Sequence, residues 1–488
     1  MASVCALPDD VLLLIFISLK SVSPAGRYYT AVKRLGLGWI VAGHVCQGWR
    51  RVLLGSATLW TDVTDFYDLQ VIAEFARRSR NAPLNIDLDV LFENAIHRTP
   101  DFNVSGHVLR NEMWSRAYRI NLDVVRSARY RRHMPISTYT TACRVLSTTH
   151  LSNLVEINAF IPRGSRITAF AAPRLQTLRL SSDAAKMLQC PMPYETLSHF
   201  LSQTESLVHI YLHRAVDTAF DGRRILKRET KRVGIKMLDI GSFDEDLLAL
   251  IFCHCELTTG AHSSVDLYGV KDLQYSIELC DSLLPASTRS AAAYISRRRE
   301  RPHALDGIGR SFTSDFYALR LSFNDVHTVT WRKDLLDPSW TWTEFTNSYA
   351  CDTVTSLRLR DSVYENPDED VTDTPKPFIE SLSGLRSLSL EHESHFEIVQ
   401  ALPDAGQLSN IRLKNAGLSD LIHAWHFVRK MNRPRETIDV VLQGKIFLDF
   451  EVSMQQHEYD EAPVLAALGA LCTVTDKRTV LMSSNLPY

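Results

Sequence analysis

The apolar positions of the chain follow two periods, and each predicts a different architecture. In "LPDDVLLLIFISL" (Leu7–Leu19) the period is helical. Leu12, Ile15, Phe16 and Leu19 fall at i, i+3, i+4 and i+7 and share one face. Val11, Leu14 and Ser18 form a second flank, and Leu13 and Ile17 fill the remaining side. Pro8 suits a first helical turn, and Asp9 and Asp10 complement the helix dipole there. The pattern predicts a helix from Leu7 or Pro8 to about Leu19. A helix apolar all round must be covered all round. It lies either in the middle of a core, or between its own domain on one face and a partner on the other. Ser21–Leu37, with Pro24, Gly26 and Gly36, reads as a loop with room for a short helix. Gly38–Trp60 then sets Val41, Val45, Trp49 and Val52 on one helical stripe, ended by Gly55-Ser56.

Beyond residue 80 the period becomes two. Leu84, Ile86, Leu88 and Val90 alternate as in a half-buried strand. A short phrase then recurs: "LSNLVEI" (151–157), "APRLQTLRL" (172–180), "TESLVHIYL" (204–212) and "GIKMLDI" (234–240). It returns as "FYALRLSF" (316–323), "DTVTSLRLR" (352–360), "LSGLRSLSL" (382–390) and "GQLSNIRL" (406–413), with "SSVDLYGV" (263–270) in the gap. Most copies carry Leu-x-x-Leu-x-Leu, the strand phrase of a leucine-rich repeat. Segments such as "DEDLLALIFCHC" (244–255) and "DLIHAWHFVRKM" (420–431) supply intervening helices. Generic α/β alternation produces similar phrases. Common internal spacing with an irregular period favours a degenerate repeat, whose units must stack to bury their apolar faces.

Composition changes this picture little. The chain has 488 residues, 45% hydrophobic and 23% charged, with a net charge of -2. Nothing in that balance argues for nucleic acid or an anionic membrane as partner. The acidic flank of the Leu7 run and its length exclude a secretory signal or a membrane span. Nine scattered cysteines fit reduced thiols in a cytoplasmic or nuclear protein, where the Asn103-Val104-Ser105 sequon is silent. "SRRRERP" (296–302) is a basic run, read as a solvated loop before a localisation signal or anion site. "YENPDEDVTDTPKP" (364–377) is an acidic, Pro-rich loop.

Catalytic signatures are weak. Gly36, Gly38 and Gly43 lack the strand and third glycine of a dinucleotide fingerprint. Cys253-His254-Cys255 has no second ligand pair for zinc, and His392 and His395 stand at i, i+3 without a third ligand. There is no Walker phrase or nucleophile elbow. No cofactor and no catalytic residue is predicted.

"LPDDVLLLIF" followed by "VCQGWRRVLLGSATLW" resembles an F-box, the helical module by which substrate receptors dock on the Skp adaptor of cullin–RING ubiquitin ligases. Leu7, Pro8, Leu12, Ile15 and Phe16 match its first half; Val45, Cys46, Trp49 and Arg50 match its second, and Leu59-Trp60 continues it. Two departures are a long Leu19–Val45 connection and Gln47 where a basic residue is common. The "FARRSRNAPLNIDLDV" segment is similar to the stretch after the F-box-like domain in many proteins of mushroom-forming fungi. The resemblance implies an α/β chain of three parts. These are an F-box-like helical module (1–65), a linker helix with the start of the repeats (66–150), and an irregular leucine-rich-repeat-like solenoid (151–488). It implies a non-enzymatic substrate-recognition subunit of an SCF-type ligase. The adaptor would meet Leu7, Pro8, Leu12, Ile15, Phe16, Val45, Cys46 and Trp49, and the array would hold a target protein. The alternative is a scaffolding repeat protein whose helical segment only caps the array. A capping helix would be covered within the chain, whereas a docking helix would leave an apolar patch open.

Overall fold

The computed structural model describes residues 7–23, 28–29, 34–35, 38–62, 69–87, 111–122, 143, 146–161, 166–167, 171–182, 192–216, 232–243, 245–268, 270, 272–283, 291–300, 314–323, 327–334, 340–360, 375–391, 402, 407–431, 438–448 and 454–482. The chain is mixed α/β and divides into two compact units. One holds Met1–Gly241 and Asp246–Ala261; the other holds Ser242–Glu245 and His262–Tyr488. Among the described residues no helix is long and apolar enough to cross a membrane.

The first unit opens with helix α1 (Asp9–Val22), one turn longer at its end than expected, with Pro8 as its N-cap. The Ser21–Leu37 loop contains a small antiparallel ladder, β1 (Tyr28–Tyr29) with β2 (Arg34–Leu35). The stripe expected through Gly38–Trp60 is broken. Gly38–His44 is 3-10 helix, Cys46 is extended at φ -158°, and α2 runs only over Gln47–Gly55. Because the period restarts at Cys46, Val41 and Val45 do not share a buried face with Trp49 and Val52. A 3-10 turn, Ala57–Trp60, leads to α3 (Leu69–Arg78) and strand β3 (Leu84–Asp87). Positions Leu88 and Val90, Asn103, and His392 and His395 lie outside the described residues, as does 364–374 of the acidic segment.

From β3 the unit is a ladder. Strands β4 (Ala117–Leu122), β5 (Glu156–Ile161), β6 (Thr177–Ser182), β7 (His209–His213) and β8 (Val233–Phe243) follow in sequence order, each parallel to its neighbour. Short α4 (Asn111–Ser115) and α5 (Tyr194–Gln203) connect strands. Register places the repeated phrase on itself. Ile86, Ile120, Ile157, Leu178, Ile210 and Leu238 form one buried row. Leu122, Ala159, Leu180, Leu212 and Ile240 form the next. The first leucine of each phrase, such as Leu154, Leu175 and Leu207, is buried at the turn. The carbonyl after it accepts two amides from the next repeat: Val155 from Gln176 and Thr177, Gln176 from Val208 and His209. The alternating burial is that of strands with one covered face.

Helix α6 (Glu245–His254) and strand β9 (Cys255–Tyr268) follow, where "DEDLLALIFCHC" predicts a helix. In the second unit, α7 (Leu273–Leu283) precedes β10 (Ala291–Glu300), β11 (Ser314–Phe323) and β12 (His327–Asp334). Here the order departs from a simple repeat. These three strands form an antiparallel meander, with β12 parallel to β9 and β10 parallel to β13 (Val354–Arg360). The loop expected at the basic run is corrected: Ser296–Glu300 is strand, because the whole of β10 pairs residue by residue with β11. The parallel ladder then resumes through β14 (Ser387–Leu390), β15 (Asn410–Lys414), β16 (Asp439–Leu448) and β17 (Thr473–Met482). Its connectors are α8 (Trp342–Ser348), α9 (Lys376–Glu380), α10 (Leu418–Met431) and α11 (Met454–Gly469). A capping box of Thr341 and Glu344 starts α8. Leu357, Leu388, Ile411 and Val440 stack as the ladder's buried row.

The last repeat closes differently. Asp476 falls opposite Leu442, at an apolar position of the ladder. Arg478, its side chain 4% exposed, reaches Glu461 at 2.8 Å, Asp476 at 2.7 Å and the Ala416 carbonyl at 2.8 Å. These paired charges satisfy one another where a further hydrophobic layer ends.

Candidate functional site

The helical start of the chain is where apolar surface stays open. Of the nine exposed large hydrophobic side chains among the described residues, seven are Val11, Leu14, Ile17, Val22, Val41, Val45 and Leu54. The other two, Tyr118 and Ile422, stand singly on β4 and α10.

Helix α1 divides its apolar residues between two faces. Leu12 and Phe16 are 2% and 0% exposed and point into the module. Phe16 packs edge-on against Trp49, ring centroids 5.5 Å apart, and Trp49 is itself buried. Behind them Trp60 meets Trp39 at 5.2 Å and Phe75 at 4.7 Å, and its Nε1 donates to the Leu53 carbonyl at 3.0 Å. The Arg78 guanidinium lies 4.6 Å over the Trp60 ring. Edge-to-face aromatic pairs of this kind add about 0.5–1.5 kcal/mol each beyond their burial.

The opposite arc, from Ile17 through Leu14 and Val11 to Val22, spans about 140° at roughly 100° per residue. Leu14 is 64% exposed, Ile17 48% and Val22 82%. Val11, Leu14, Ile15, Ser18, Leu19 and Val22 line a shallow groove of about 380 Å³. Ser18 supplies the one side-chain hydroxyl of that lining.

The predicted partner residues therefore separate. Leu12, Phe16 and Trp49 are buried in the module's own core. Ile15 lies in the groove wall. Pro8 and Val45 are exposed, and Leu7 and Cys46 are half-buried. Val11, Leu14, Ile17 and Val22, which form the open face, were not among the residues predicted from sequence.

The module is also tied to the ladder. Asp62 bridges Asn85 of β3, and the Asn85 amide donates to the Thr61 carbonyl at 3.0 Å. Lys20 of α1 reaches Asp62 at 2.7 Å. Arg116 donates to the Ala76 and Ala82 carbonyls and to Ser79 Oγ, securing the end of α3 to the start of β4.

The uncovered face of the strands is polar. In the first unit its polar side chains meet across strands: Arg119 with Glu156 at 2.9 Å, His213 with Asp239 at 3.4 Å, and Arg179 stacked 4.1 Å over Tyr211. In the second unit Glu391 takes both Arg358 at 2.6 Å and Lys414 at 3.3 Å. Burial raises the Glu391 pKa, but those cations outweigh it and hold the carboxyl below its ordinary value. Arg332 pairs with Asp266.

Two hydroxyl–imidazole pairs have the first two elements of nucleophilic chemistry, Ser198–His254 at 3.2 Å and Ser263–His327 at 3.0 Å. Both imidazoles are buried, which lowers their pKa. Neither makes a hydrogen bond to a carboxylate among the described residues. Cys253 and Cys255 flank His254, and burial raises both thiols, Cys255 to about 12. Among the described residues no three His, Cys, Asp or Glu side chains are placed to hold a metal. No family model matches the chain, and no curated protein matches it.

Proposed function

We propose that this chain is a substrate-receptor subunit of an SCF-type ubiquitin ligase. It docks on a Skp adaptor through the outward face of α1 and holds a target protein on its strand array. The observation that carries the reading is the gathering of open apolar side chains on the helical start of the chain. Monomeric surfaces do scatter single hydrophobic residues, but a contiguous apolar groove marks an interaction site. Covering Val11, Leu14, Ile17 and Val22 offers roughly 1.5–3 kcal/mol for each side chain fully buried. The resemblance of Leu7–Phe16 and Val45–Arg50 to the F-box supplies the identity of the partner. The mechanism is proximity: a bound target is held at high effective concentration near the ligase's loaded enzyme.

A capping role has its own support in the Asp62–Asn85 bridge and the Lys20–Asp62 pair, which join the helices to the first strand. Capping and docking use different faces of α1, so the two readings part on one experiment. The full chain is co-expressed with the adaptor and purified through a tag on either protein. Wild type co-purifies, and Leu14→Asp with Ile17→Asp abolishes the complex while the chain stays folded. A wild-type chain that never retains the adaptor leaves only the cap.

A further inference from the structure

We infer that the polar face of the second unit takes an extended acidic segment in polyproline II conformation, with a carboxylate at every third residue. The inference rests on the reading of the array as the target-holding half.

Register builds the site. One row of the uncovered face runs Val441, Arg412, Ser389, Arg358, Tyr294, Arg320, Thr330 and Asp266 across eight strands. The row beside it carries Lys477, Gln443, Lys414 and, across the meander, Arg332. The row on the other side carries Asp439, Asn410, Ser387 and Ser356. The described cations of these three rows are Arg320, Arg332, Arg358, Arg412, Lys414 and Lys477, against the carboxylates Asp266, Glu391 and Asp439. The chain as a whole is slightly acidic, at -2, so this excess is local. The first unit has no such excess: Arg119 pairs with Glu156, and Asp239 stands in the same row as Arg179.

Within the central row the three arginines are evenly placed. Arg412 and Arg358 are separated by the single strand β14, and Arg358 and Arg320 by the single strand β10. At about 4.8 Å per strand the arginines recur every ~9.6 Å. A polyproline II helix repeats each third residue on one side after about 9.3 Å. A β-strand ligand would offer same-side groups at about 6.7 or 13 Å and would miss the spacing. Arg320 and Arg412 are exposed and make no ion pair with a described residue. Arg358 is already oriented by Glu391 at 2.6 Å. Carboxylates interleaved at Glu391 and Asp266 disfavour a continuous phosphate backbone. The occupant is therefore a protein segment, with Ser389 and Thr330 as hydroxyls in the same row.

The probe is a fluorescein-labelled (Glu-Pro-Pro)4 peptide titrated with the full-length chain and read by anisotropy. The controls are (Gln-Pro-Pro)4, a peptide with its four glutamates contiguous, and a single-stranded oligonucleotide. The expected result is saturable binding of (Glu-Pro-Pro)4 that weakens with salt. It should be at least tenfold tighter than either peptide control. Arg320→Glu with Arg412→Glu weakens it tenfold or more, with thermal unfolding unchanged. Equal binding of the Gln or contiguous-Glu peptide, tighter binding of the oligonucleotide, or indifference to the double reversal overturns the inference. Adaptor co-purification does not involve Arg320 or Arg412 and should survive the double reversal. Failure of the peptide with the adaptor retained sinks only this inference. Peptide binding without adaptor binding sinks the receptor reading instead.

Discussion

The helix α1 and the strand ladder are both built from leucine and isoleucine, yet they treat them in opposite ways. Along the ladder every stacked residue from Ile86 to Leu238 is at most 3% exposed. On α1, two residues from the core-facing Leu12, Leu14 is 64% exposed. The difference follows from geometry. A strand points alternate residues to opposite faces, so period-two patterning puts the leucines and isoleucines of the repeated phrase on the covered side. A helix apolar on every side cannot do this against one neighbour. What remains open on α1 is thus written into its sequence, whereas among the described residues of the strands only Tyr118 is a large exposed hydrophobic.

The largest test of that contrast is on the inner faces. Phe16→Ala should cost about 3–5 kcal/mol and Leu388→Ala about 2–5 kcal/mol, the range for fully buried side chains of these sizes. Denaturant unfolding of each variant measures it. A loss under 1 kcal/mol at Phe16 would mean that α1 packs loosely and the two-faced description is wrong.

Next comes the turn geometry. A Cβ at Gly384 would overlap the Asp352 carbonyl oxygen, a backbone atom. Gly384→Ala should therefore destabilise the second unit by roughly 1–3 kcal/mol, as overpacking does. The same unfolding assay applies, and an unchanged midpoint would contradict the stacking of these turns.

Acid should loosen the ladder before it touches the α1 groove, whose lining carries no ionisable side chain. His254 and His327 are buried, so their folded pKa values lie below the ordinary 6.5. The unfolded chain then takes protons first, and stability present above pH 6.5 falls as pH drops below it. Glu391 acts lower. Its folded pKa lies below the ordinary 4.5, so its stabilisation is present above that pH and disappears as pH falls through the folded value. Thermal unfolding between pH 7.5 and 3.5 should show two successive declines, the first removed by His254→Gln with His327→Gln.

The smallest effect is expected on the outer face. Leu14→Ser should change stability by no more than about 0.5 kcal/mol, as for surface positions generally. A larger loss would place Leu14 in the core.

Much of this was legible in the sequence. All eight copies of the repeated phrase overlap strands, because a phrase with three fixed apolar positions has few ways to bury them. The helices at 244–255 and 420–431 were legible by the same logic. Strand β10 was not: three successive arginines read as solvated, and only pairing with β11 makes them strand. Strand β17 was hidden because Asp476 stands opposite Leu442, where a leucine is expected, and Arg478, which pairs with it, finds its other partner Glu461 in the preceding helix. For the site, the motif singled out α1, the helix that carries the open apolar face. It named Leu12 and Phe16, whose burial against Trp49 depends on contacts across the chain that no helical wheel contains.

The claim that α1's outer face is a docking surface is tested most directly by carbene footprinting of the full chain, alone and with the Skp adaptor. Labelling of Val11, Leu14, Ile17 and Val22 should fall on mixing, while Leu12 and Phe16 stay unlabelled in both states. Unchanged labelling of Leu14 and Ile17 with adaptor in excess would contradict it.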